Sequence, residues 1–568
     1  MPSAARPDAP QPDSAPSRPV RKVWQKWQRW RQPLLLGAAL LSGLLLGSNP
    51  FRPTDQNPDA TSRGYLKFKE ILSYVDRDYV DTVDAEQLSD YAIKRMLEKL
   101  DPHSVYIPAK EQQQAAAFLQ SDYDGIGVEF NMFRDTVTVV APLSGGPAEQ
   151  AGLQPGDRLL AIDGQSVSGQ HLTTEQVFGR LRGPRGSTVR LLLLRRGQGR
   201  AMTFALTRNR IPNASVDVAA VLADGATGYI KISRFAAGTY DEFKEALGRL
   251  RREGMTKLVL DLRGNPGGYL DRATKIADEF IGGTRKIVYT DGKGDQYDTQ
   301  TFSRAAGEFE EGPLVVIVDE GSASASEVLA GALQDQDRAL VVGRRSFGKG
   351  LVQQPITLND GSELRLTIAR YYTPSGRSIQ KPYRDGVAAY DRDLQERYAR
   401  GEAFHADSVH FAPALRFRTA HGRTVYGGGG IMPDVFVPRD STTQNRYLSR
   451  LQGTSLVREF ALNLYQEHKD ELTQLTFDQY QRTFDVSEVQ LQALAARAAQ
   501  GGLRADPYSL RRCAPALRNQ LKALVARSAF GKDAYYAVLR EQDGELKQAL
   551  QTLQDANAKL ALGETNGQ

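Results

Sequence analysis

Three serines lie where an apolar segment gives way to a helical pattern, and their placement suits nucleophilic chemistry. Ser322, Ser324 and Ser326 belong to GSASASE, which follows the strand-like run PLVVIV. Ser324 and the glutamate three positions later have the spacing of a helix capping box, so a structural role alone is one explanation. The first turn of a helix also offers unpaired backbone N–H groups and a positive dipole end, which stabilise an oxyanion. A serine in this position can act as a nucleophile if a base lies nearby.

The candidate base is a lysine rather than a histidine. The six histidines are scattered singly, none is close to the three serines in sequence, and the chain has no G-x-S-x-G elbow. These absences disfavour a Ser-His-Asp hydrolase. Lys349 lies in a loop between two apolar segments, where desolvation lowers the pKa of a lysine and lets it act as a general base. Ser-Lys pairs are a known variant of the triad.

The loop around Lys349 also fits a nucleotide-binding pattern. Residues 343–350 (GRRSFGKG) match G-x-x-x-x-G-K. A P-loop requires Ser or Thr next, as the magnesium ligand, whereas this chain has Gly350. The following LVQQPITL predicts a strand instead of the required helix. The sequence therefore disfavours a P-loop ATPase.

The composition gives no support to metal, cofactor or nucleic-acid chemistry. Cys513 is the single cysteine, and neither CxxC nor HExxH spacing occurs, so we predict no metal site and no cofactor. The formal charge is +6, but residues 1–31 alone have a net charge of +5. The remaining chain has no surplus of Lys and Arg for a nucleic-acid surface. We therefore expect no nucleic-acid partner.

The basic residues 1–31 precede an apolar segment that predicts a membrane anchor. Residues 32–51 contain no charged side chain, and about 20 helical residues span roughly 30 Å, the thickness of the hydrocarbon core. Trp24, Trp27 and Trp30 lie just before this segment, where indoles favour the headgroup level, and the basic flank predicts a disordered cytoplasmic lead. No A-x-A site follows, so we favour an uncleaved anchor over a signal peptide. We expect a single-pass protein of a bacterial inner membrane with its body in the periplasm.

Four further regions must position the candidate side chains. Residues 61–120 predict short helices that end in the turn LDPHSVY, and residues 121–212 predict short strands with glycine turns. Residues 213–440 indicate an α/β unit with apolar strands followed by RGNPGG, GSASASE and RRSFGKG, and chemistry gathers at such loops. Residues 441–568 predict helices, whose apolar stripes serve packing or self-association.

The strand-rich region resembles a PDZ domain. Its glycine-rich start, the helix and turn P-A-x-x-A-G-L-x-P-G-D and the following I-D-G match the pattern of that family. The resemblance implies that backbone N–H groups freed by the glycines bind a chain-terminal carboxylate, and that the adjacent strand edge adds the peptide as an extra strand. The implied peptide-binding residues are Gly125, Ile126, Gly127 and Val128.

Five motifs in order resemble the carboxyl-terminal processing peptidases, also called tail-specific proteases. They are DLRGNPGG, GSASASEVLAGALQD, FGKGLVQ, YYTPSGRSIQ and GIMPDV, and with LDPHSVY and the PDZ segment the resemblance covers roughly residues 60 to 440. It implies a serine protease in which Ser324 is the nucleophile, Lys349 the base and Gln353 the residue that orients the lysine. It also implies oxyanion donors at the backbone N–H of Ala325 and at Gly267 or Gly268.

The expected fold class is multidomain α+β. It comprises a transmembrane anchor, a small helical region, a PDZ β-domain, an α/β protease core that the resemblance relates to the crotonase and Clp-peptidase folds, and a helical C-terminal extension. Residues 381–426 form an insertion that compact members of the family lack. We favour a neutral surface insertion over one that covers the active site or contacts a partner.

The expected function is a serine endopeptidase that recognises apolar C-termini of proteins through its PDZ domain and cleaves at or near them in the periplasm. A homodimer or higher oligomer is left open. The alternative is a non-catalytic PDZ scaffold or chaperone that binds C-termini without cleavage. The intact Ser324, Lys349 and Gln353 argue against that alternative.

Overall fold

The computed structural model describes residues 60–304, 306–409 and 411–562. The predicted cytoplasmic lead (1–31) and membrane anchor (32–51) lie outside these residues. Among the helices that are described, none combines the length and apolarity needed to cross a bilayer. The chain divides into two compact units after Ser89, and the described residues 60–89 belong to the first.

The described part of the first unit is helical. Helix α1 spans Ala60–Asp78, and helix α2 spans Ala85–Leu97, so α2 continues into the second unit. Helix α1 buries none of its side chains. Five of its large apolar side chains are exposed: Tyr65, Leu66, Phe68, Ile71 and Tyr74. Helix α1 therefore has an apolar stripe that no described residue of its own unit covers.

The LDPHSVY segment forms a turn and then a strand. The Asp101 carboxylate accepts hydrogen bonds from the backbone N–H of His103 at 2.7 Å and of Ser104 at 2.8 Å, which closes the turn. Strand β1, Val105–Ile107, then pairs antiparallel with the long strand Glu363–Tyr372, and helix α3 follows over Ala109–Ala117. The region predicted to be helical therefore also contains a strand of the core. The prediction missed this strand because its pairing partner lies far away in sequence.

The next region is an antiparallel sheet with two short helices. Its strands are β2 Asp122–Gly125, β3 Val128–Phe133, β4 Thr136–Pro142, β5 Arg158–Ile162, β6 Gln165–Ser166, β7 Thr188–Leu194, β8 Met202–Thr207 and β9 Asn209–Pro212, and its helices are α4 Pro147–Gln150 and α5 Thr174–Leu181. The main sheet has the order β3-β4-β5-β7-β8, which leaves β3 at an edge, and β2 pairs with β9 where the chain enters and leaves. The apolar core of this domain includes Ile126, Val139 and Leu191.

The central sheet of the second unit is mostly parallel. Its strands, in spatial order, are β10 Val216–Val221, β11 Thr227–Ile232, β12 Lys257–Asp261, β15 Leu314–Val318, β16 Leu340–Gly343 and β21 Val435–Phe436. Helices α6 Thr239–Arg252, α7 Leu270–Asp278 and α8 Ala325–Asp335 alternate with them. Because β12, β15 and β16 are parallel neighbours, the three loops at their carboxyl ends lie side by side.

Strand β15 shows why the chain folds this way. Its residues Leu314, Val316 and Val318 pack in the core formed with α6, α7 and α8. The alternate residues Val315 and Ile317 pack against the last helix of the chain, Gly544–Leu562. Side chains alternate between the two faces of a strand, so a strand covered on both faces is apolar throughout. Each of these burials contributes about 1.5–3 kcal/mol.

A second sheet lies beside the central one. It has the order β1-β18-β13-β14, with β13 Lys286–Gly292, β14 Thr299–Phe302 and β18 Glu363–Tyr372, and β17 Leu351–Thr357 also pairs with β18. The segment LVQQPITL is therefore a strand, as predicted. Since a P-loop needs a helix at this point, the nucleotide-binding interpretation of Lys349 fails on structural grounds.

The insertion at residues 381–426 forms helix α9, Val387–Ala399, and the hairpin β19 Arg416–Arg418 and β20 Thr424–Tyr426. Tyr390 and Arg397 on α9 are each only 4% exposed. The guanidinium of Arg397 donates to the backbone oxygen of Ser346 at 3.0 Å, in the loop that carries the candidate base. The predicted surface location of this segment is therefore wrong, because Arg397 is buried against a core loop. Its neutrality stays a prediction.

The C-terminal extension is helical, in agreement with the prediction. Its helices are α10 Arg446–Gln452, α11 Leu456–Glu467, α12 Lys469–Leu472, α13 Phe477–Thr483, α14 Glu488–Gln500, α15 Pro507–Phe530, α16 Lys532–Glu541 and α17 Gly544–Leu562. Helices α10 to α16 share an apolar core that includes Cys513, and α17 covers one face of the central sheet. Arg527 of α15 binds Glu129 of β3 at 2.6 Å, and Lys532 of α16 binds Asp217 of β10 at 2.9 Å. The extension therefore contacts both the antiparallel domain of residues 121–212, through β3, and the central sheet, through β10.

Candidate active site

Of the three serines, only Ser324 is positioned for chemistry. Ser322 and Ser326 are fully buried, and their hydroxyls donate to the backbone oxygens of Leu262 and Asn265 at 2.8 and 2.9 Å. These two side chains fasten the turn before α8 to the loop that follows β12. Ser324 is half-buried, which leaves its hydroxyl accessible at the start of α8.

The backbone of Ser324 is strained. Its φ of 57° and ψ of −117° lie in a region that L-residues rarely adopt and that costs of order 1–3 kcal/mol. Its N–H donates to Glu327 Oε2 at 2.8 Å, and its carbonyl oxygen accepts from the Tyr371 hydroxyl at 3.0 Å. A sharp strand-to-helix turn of this kind presents a nucleophile in other hydrolases. The sequence lacks G-x-S-x-G, so the motif search alone missed this conformation.

The glycines of RGNPGG lie against this turn. Gly267 has a φ of +99°, and a Cβ added there would lie 2.7 Å from Ser324 Cβ and 3.0 Å from Ala325 N. The N–H of Gly267 already donates to Asn265 Oδ1 at 2.9 Å. Within the described residues, the N–H groups of Gly268 and Ala325 donate to no acceptor. Gly268 and Ala325 are therefore the better pair of candidate oxyanion donors, and Gly267 provides the space.

Lys349 lies in the loop between β16 and β17, and its amine is held by a side-chain amide. Lys349 Nζ donates to Gln353 Oε1 at 2.9 Å, and Gln353 Nε2 donates to the backbone oxygen of His103. Burial lowers the pKa of Lys349 from its usual value of 10.5, and the Glu327 carboxylate opposes that shift. In the part of the chain that the structure describes, no hydrogen bond joins Lys349 Nζ to Ser324 Oγ.

Glu327 connects the nucleophile turn to the lysine loop. Its fully buried carboxylate accepts from the backbone N–H groups of Ser324 and Lys349 at 2.8 Å each, from Gly348 N at 2.7 Å and from Ser346 Oγ at 2.5 Å. Burial raises the pKa of Glu327 to about 7. The capping-box spacing predicted its bond to Ser324. Its bonds to the lysine loop depend on the tertiary fold and leave no local signal.

Tyr371 makes a second link between the same two segments. Its buried hydroxyl donates to the backbone oxygen of Ser324 and also contacts that of Lys349. Sequence reasoning missed this role, although the motif YYTPSGRSIQ contains the residue. Two buried side chains therefore hold the backbones of Ser324 and Lys349. The Glu327 carboxylate accepts from their N–H groups, and the Tyr371 hydroxyl lies against both of their carbonyl oxygens with one proton to donate.

The predicted peptide-binding residues lie at the start of edge strand β3. Gly125, Ile126, Gly127 and Val128 are buried. The N–H groups of Ile126 and Gly127 find no acceptor within the described ranges. Buried N–H groups without partners are uncommon and call for an explanation, such as a ligand.

An arginine that sequence reasoning missed lies beside this loop. The Arg182 guanidinium carbon is 4.8 Å from the ring centre of Tyr123 and 5.6 Å from that of Phe178. Arg182 Nε is buried and donates to no acceptor among the residues described. The ring of Phe178 also packs against Phe130 of β3, with 4.7 Å between their centres. The edge of β3 therefore combines free N–H groups, a positive charge and an apolar wall.

Within the described ranges, no group of three or more His, Cys, Asp or Glu side chains is arranged to hold a metal ion.

Comparison with known proteins matches three parts of the chain to family models. Residues 226–389 match peptidase family S41, residues 138–195 match the PDZ domain, and residues 447–531 match a family of unknown function. The first match contains Ser324 and Lys349, and the second begins within strand β4.

The matches to three curated relatives cover most of the length of each relative. The carboxy-terminal-processing protease of Bartonella bacilliformis is 35% identical over 364 residues, which cover 61% of this chain and 82% of the relative. The carboxy-terminal processing protease CtpB of Bacillus subtilis is 37% identical over 334 residues, which cover 58% and 68%. The carboxyl-terminal-processing protease of Synechocystis is 40% identical over 298 residues, which cover 51% and 68%. The chain therefore belongs to the carboxy-terminal processing proteases of peptidase family S41 and is a serine-type peptidase with a PDZ domain.

Proposed function

We propose that this peptidase captures the C-terminus of a substrate protein on its PDZ domain and cleaves the chain near that end with a Ser324–Lys349 dyad. One observation carries the proposal. Lys349, desolvated and bonded to Gln353, lies in a loop whose backbone shares the carboxylate of Glu327 with the strained turn of Ser324. This arrangement supplies an accessible hydroxyl, a lysine with a lowered pKa and a rigid connection between them.

The dyad acts through an ordinary acyl transfer. Neutral Lys349 takes the proton of Ser324 Oγ as that oxygen attacks the scissile carbonyl carbon. The negative charge on the carbonyl oxygen is stabilised by the N–H groups of Ala325 and Gly268, at the positive end of the α8 dipole. The ammonium of Lys349 then gives its proton to the leaving amine as the C–N bond breaks. A water, deprotonated by the same lysine, hydrolyses the acyl-enzyme and returns Ser324 to its hydroxyl form.

Tail capture uses the edge of β3. An extended peptide pairs with this edge as an additional strand, and its terminal carboxylate binds the free N–H groups of Ile126 and Gly127. Arg182 contributes a positive charge next to that carboxylate, and charge-assisted hydrogen bonds are stronger than neutral ones. Phe130 and Phe178 favour an apolar last side chain. These features support a preference for free, apolar C-termini.

The decisive experiment compares the wild type with Ser324→Ala. A folded protein with an apolar C-terminal tail is incubated with each enzyme, and its mass is followed by mass spectrometry. We expect the wild type to shorten the substrate without added nucleotide, and Ser324→Ala to leave it intact while still binding it. Equal persistence of substrate with both enzymes would refute the dyad and favour the alternative of a PDZ scaffold or chaperone.

The cellular location of the enzyme and its self-association are part of the same proposal. The apolar segment 32–51 and its basic flank support a single-pass anchor with the catalytic body in the periplasm. Extraction of cell membranes with alkaline carbonate should leave the full chain in the membrane fraction, and protease added to spheroplasts should digest its body.

The exposed stripe of α1 supports self-association. Light scattering of the detergent-solubilised full chain should give more than one copy per particle, and Phe68→Asp should reduce that number.

A further inference from the structure

The insertion, residues 381–426, is hydrogen-bonded to the loop between β16 and β17 that contains Lys349. Arg397 of α9 donates to the backbone oxygens of Arg345 and Ser346 at 2.7 and 3.0 Å. Glu402 accepts from Arg397 Nε at 3.1 Å and from Arg345 Nη2 at 2.6 Å. These contacts fix α9 on the segment that leads to Lys349, so residues on α9 have defined positions relative to the base.

A second connection from α9 leads to the amine of Lys349 itself. The Tyr390 hydroxyl is 2.8 Å from His103 Nε2. The backbone oxygen of His103 accepts from Gln353 Nε2, and Gln353 Oε1 accepts from Lys349 Nζ at 2.9 Å. A backbone oxygen can only accept, so it must face the N–H₂ side of the Gln353 amide. The Oε1 side must then face the lysine.

Tyr390 is itself held firmly. Its ring packs edge-on against those of His103 and Phe347, with 5.2 and 5.9 Å between centres. The ammonium of Lys381 lies 3.9 Å from the ring centre of Tyr390 and binds Asp393 at 3.0 Å. Burial and the nearby charge of Lys349 lower the pKa of His103 to about 4, so its imidazole is neutral at physiological pH. The link between Tyr390 and His103 therefore joins two ordered, uncharged rings.

We propose that Tyr390 of the insertion and His103 are positioning residues for the general base, acting on Lys349 through the Gln353 amide. The inference rests on the proposed Ser324–Lys349 dyad. With Oε1 facing it, the amine of Lys349 donates one N–H to Gln353 and keeps its lone pair for the proton of Ser324. If the Gln353 amide were rotated, its N–H₂ group would donate to the lone pair of Lys349. That lone pair could then no longer accept the proton of Ser324. The insertion is thus a built-in brace for the amide that orients the lysine.

The test is Tyr390→Phe in the full chain, which keeps the ring and removes the hydroxyl. We expect kcat to fall about tenfold, with KM unchanged, because the base is displaced but not removed and loss of a general base itself costs about a hundredfold or more. We also expect the acid limb of the pH profile of kcat/KM to move to lower pH, because a disordered amide no longer stabilises the ammonium of Lys349. The matched control is Tyr398→Phe on the same helix, which loses bonds to Glu320 and Arg439 but has no link to Lys349. It should leave both kcat and the pH profile unchanged.

A double-mutant cycle establishes that Tyr390 acts through the amide. In a Gln353→Ala background, Tyr390→Phe should produce no further loss, because the connection is already broken. Additive losses would overturn the inference, as would a Tyr390→Phe enzyme with the wild-type kcat and pH profile. If Tyr390→Phe does not fold, as judged by circular dichroism, His103→Gln tests the same link from its other side with the same expected shift. Full cleavage by Ser324→Ala would refute the dyad. An inactive Ser324→Ala together with a Tyr390→Phe enzyme that behaves like the wild type would refute only the positioning role of Tyr390 and His103.

Discussion

The carboxylate of Glu327 accepts a hydrogen bond from the backbone N–H of Lys349 at 2.8 Å. The same oxygen accepts from the backbone N–H of Ser324, also at 2.8 Å. One buried side chain therefore sets the distance between the candidate nucleophile and the candidate base through their backbones. Among the residues described, no hydrogen bond joins the Lys349 amine to the Ser324 hydroxyl, and catalytic hydrogen bonds often tighten only in the complex with substrate.

Glu327→Gln should inactivate the enzyme far more than it changes substrate binding. The amide has a single acceptor oxygen, so its N–H₂ group faces backbone N–H donors and leaves buried groups unpaired, each at about 1–3 kcal/mol. Small displacements of reacting groups cost about a hundredfold in rate, and we expect a loss of that order in kcat. Steady-state cleavage of a peptide substrate measures it, with the exposed Glu245→Gln as control. A variant that retains more than half of the wild-type kcat would contradict the role given to Glu327.

The raised pKa of Glu327 makes stability depend on pH. A carboxyl with a folded-state pKa of about 7 and an unfolded value of 4.5 stabilises the fold fully below pH 4.5, and this contribution is lost as pH rises through 7. The free energy of unfolding of the wild type, relative to Glu327→Gln, should fall by about 3 kcal/mol over this window. Urea unfolding at pH 5 and pH 8 measures the difference. Parallel pH curves for the two proteins would rule the shift out.

Lys349→Met should abolish cleavage and yet stabilise the protein at neutral pH. Burial holds the pKa of Lys349 below 10.5, so the charged amine destabilises the fold at all pH values below its folded pKa. This penalty is relieved as pH rises from the folded pKa towards 10.5. The variant should therefore have a higher Tm than the wild type at pH 7, with a gap that narrows in alkaline buffer. The exposed Lys110→Met should show no such trend, and a lower Tm for Lys349→Met at pH 7 would contradict the argument.

Gly267→Ala and Gly264→Ala form a matched pair in one loop. Both residues have positive φ, +99° and +68°, so both substitutions introduce backbone strain of about 1–2 kcal/mol. A Cβ at Gly264 meets nothing within 4 Å, whereas one at Gly267 lies 2.7 Å from Ser324 Cβ. We expect both variants to lose Tm, Gly267→Ala more because of this overlap, and we expect at least a hundredfold lower kcat/KM for Gly267→Ala alone. Equal activity in the two variants would show that the space beside Ser324 is not needed.

Arg182→Met should weaken the capture of a free C-terminus. Calorimetric titration of a tail peptide into the Ser324→Ala enzyme should give a Kd about tenfold higher for Arg182→Met, which corresponds to the loss of one charge-assisted hydrogen bond. Amidation of the peptide should weaken binding to the parent enzyme by a similar factor. The same amidation should have a smaller effect in Arg182→Met, because the charge that senses the carboxylate is gone. Arg180→Met, in the last turn of helix α5 just before Arg182, is the control and should bind both peptides as the parent does.

The local parts of this structure were predictable, and the long-range ones were not. The run PLVVIV predicts a strand covered on both faces, and GSASASE predicts the start of a helix, because alternation and capping act within a few residues. The link between His103 and Tyr390 joins residues 287 positions apart, and although His103 lies in the turn LDPHSVY, no local pattern marks its contact with Tyr390. The strand at Val105 was missed for the same reason, because a three-residue strand is defined by its partner. The strained φ of Ser324 is also invisible in sequence, because the capping-box spacing predicts the bond from its N–H to Glu327 but no local pattern marks the bond from Tyr371 to its carbonyl oxygen.

The position of α17 has a consequence for how the enzyme is made. Arg263, at the end of β12, binds Asp543, which lies 280 positions later and just before this helix. Until α17 is synthesised, Val315 and Ile317 of the central sheet have an uncovered apolar face. Contacts of such sequence separation form late in folding. A nascent chain therefore contains Ser324 and Lys349 before it contains the helix that covers Val315 and Ile317 on the central sheet.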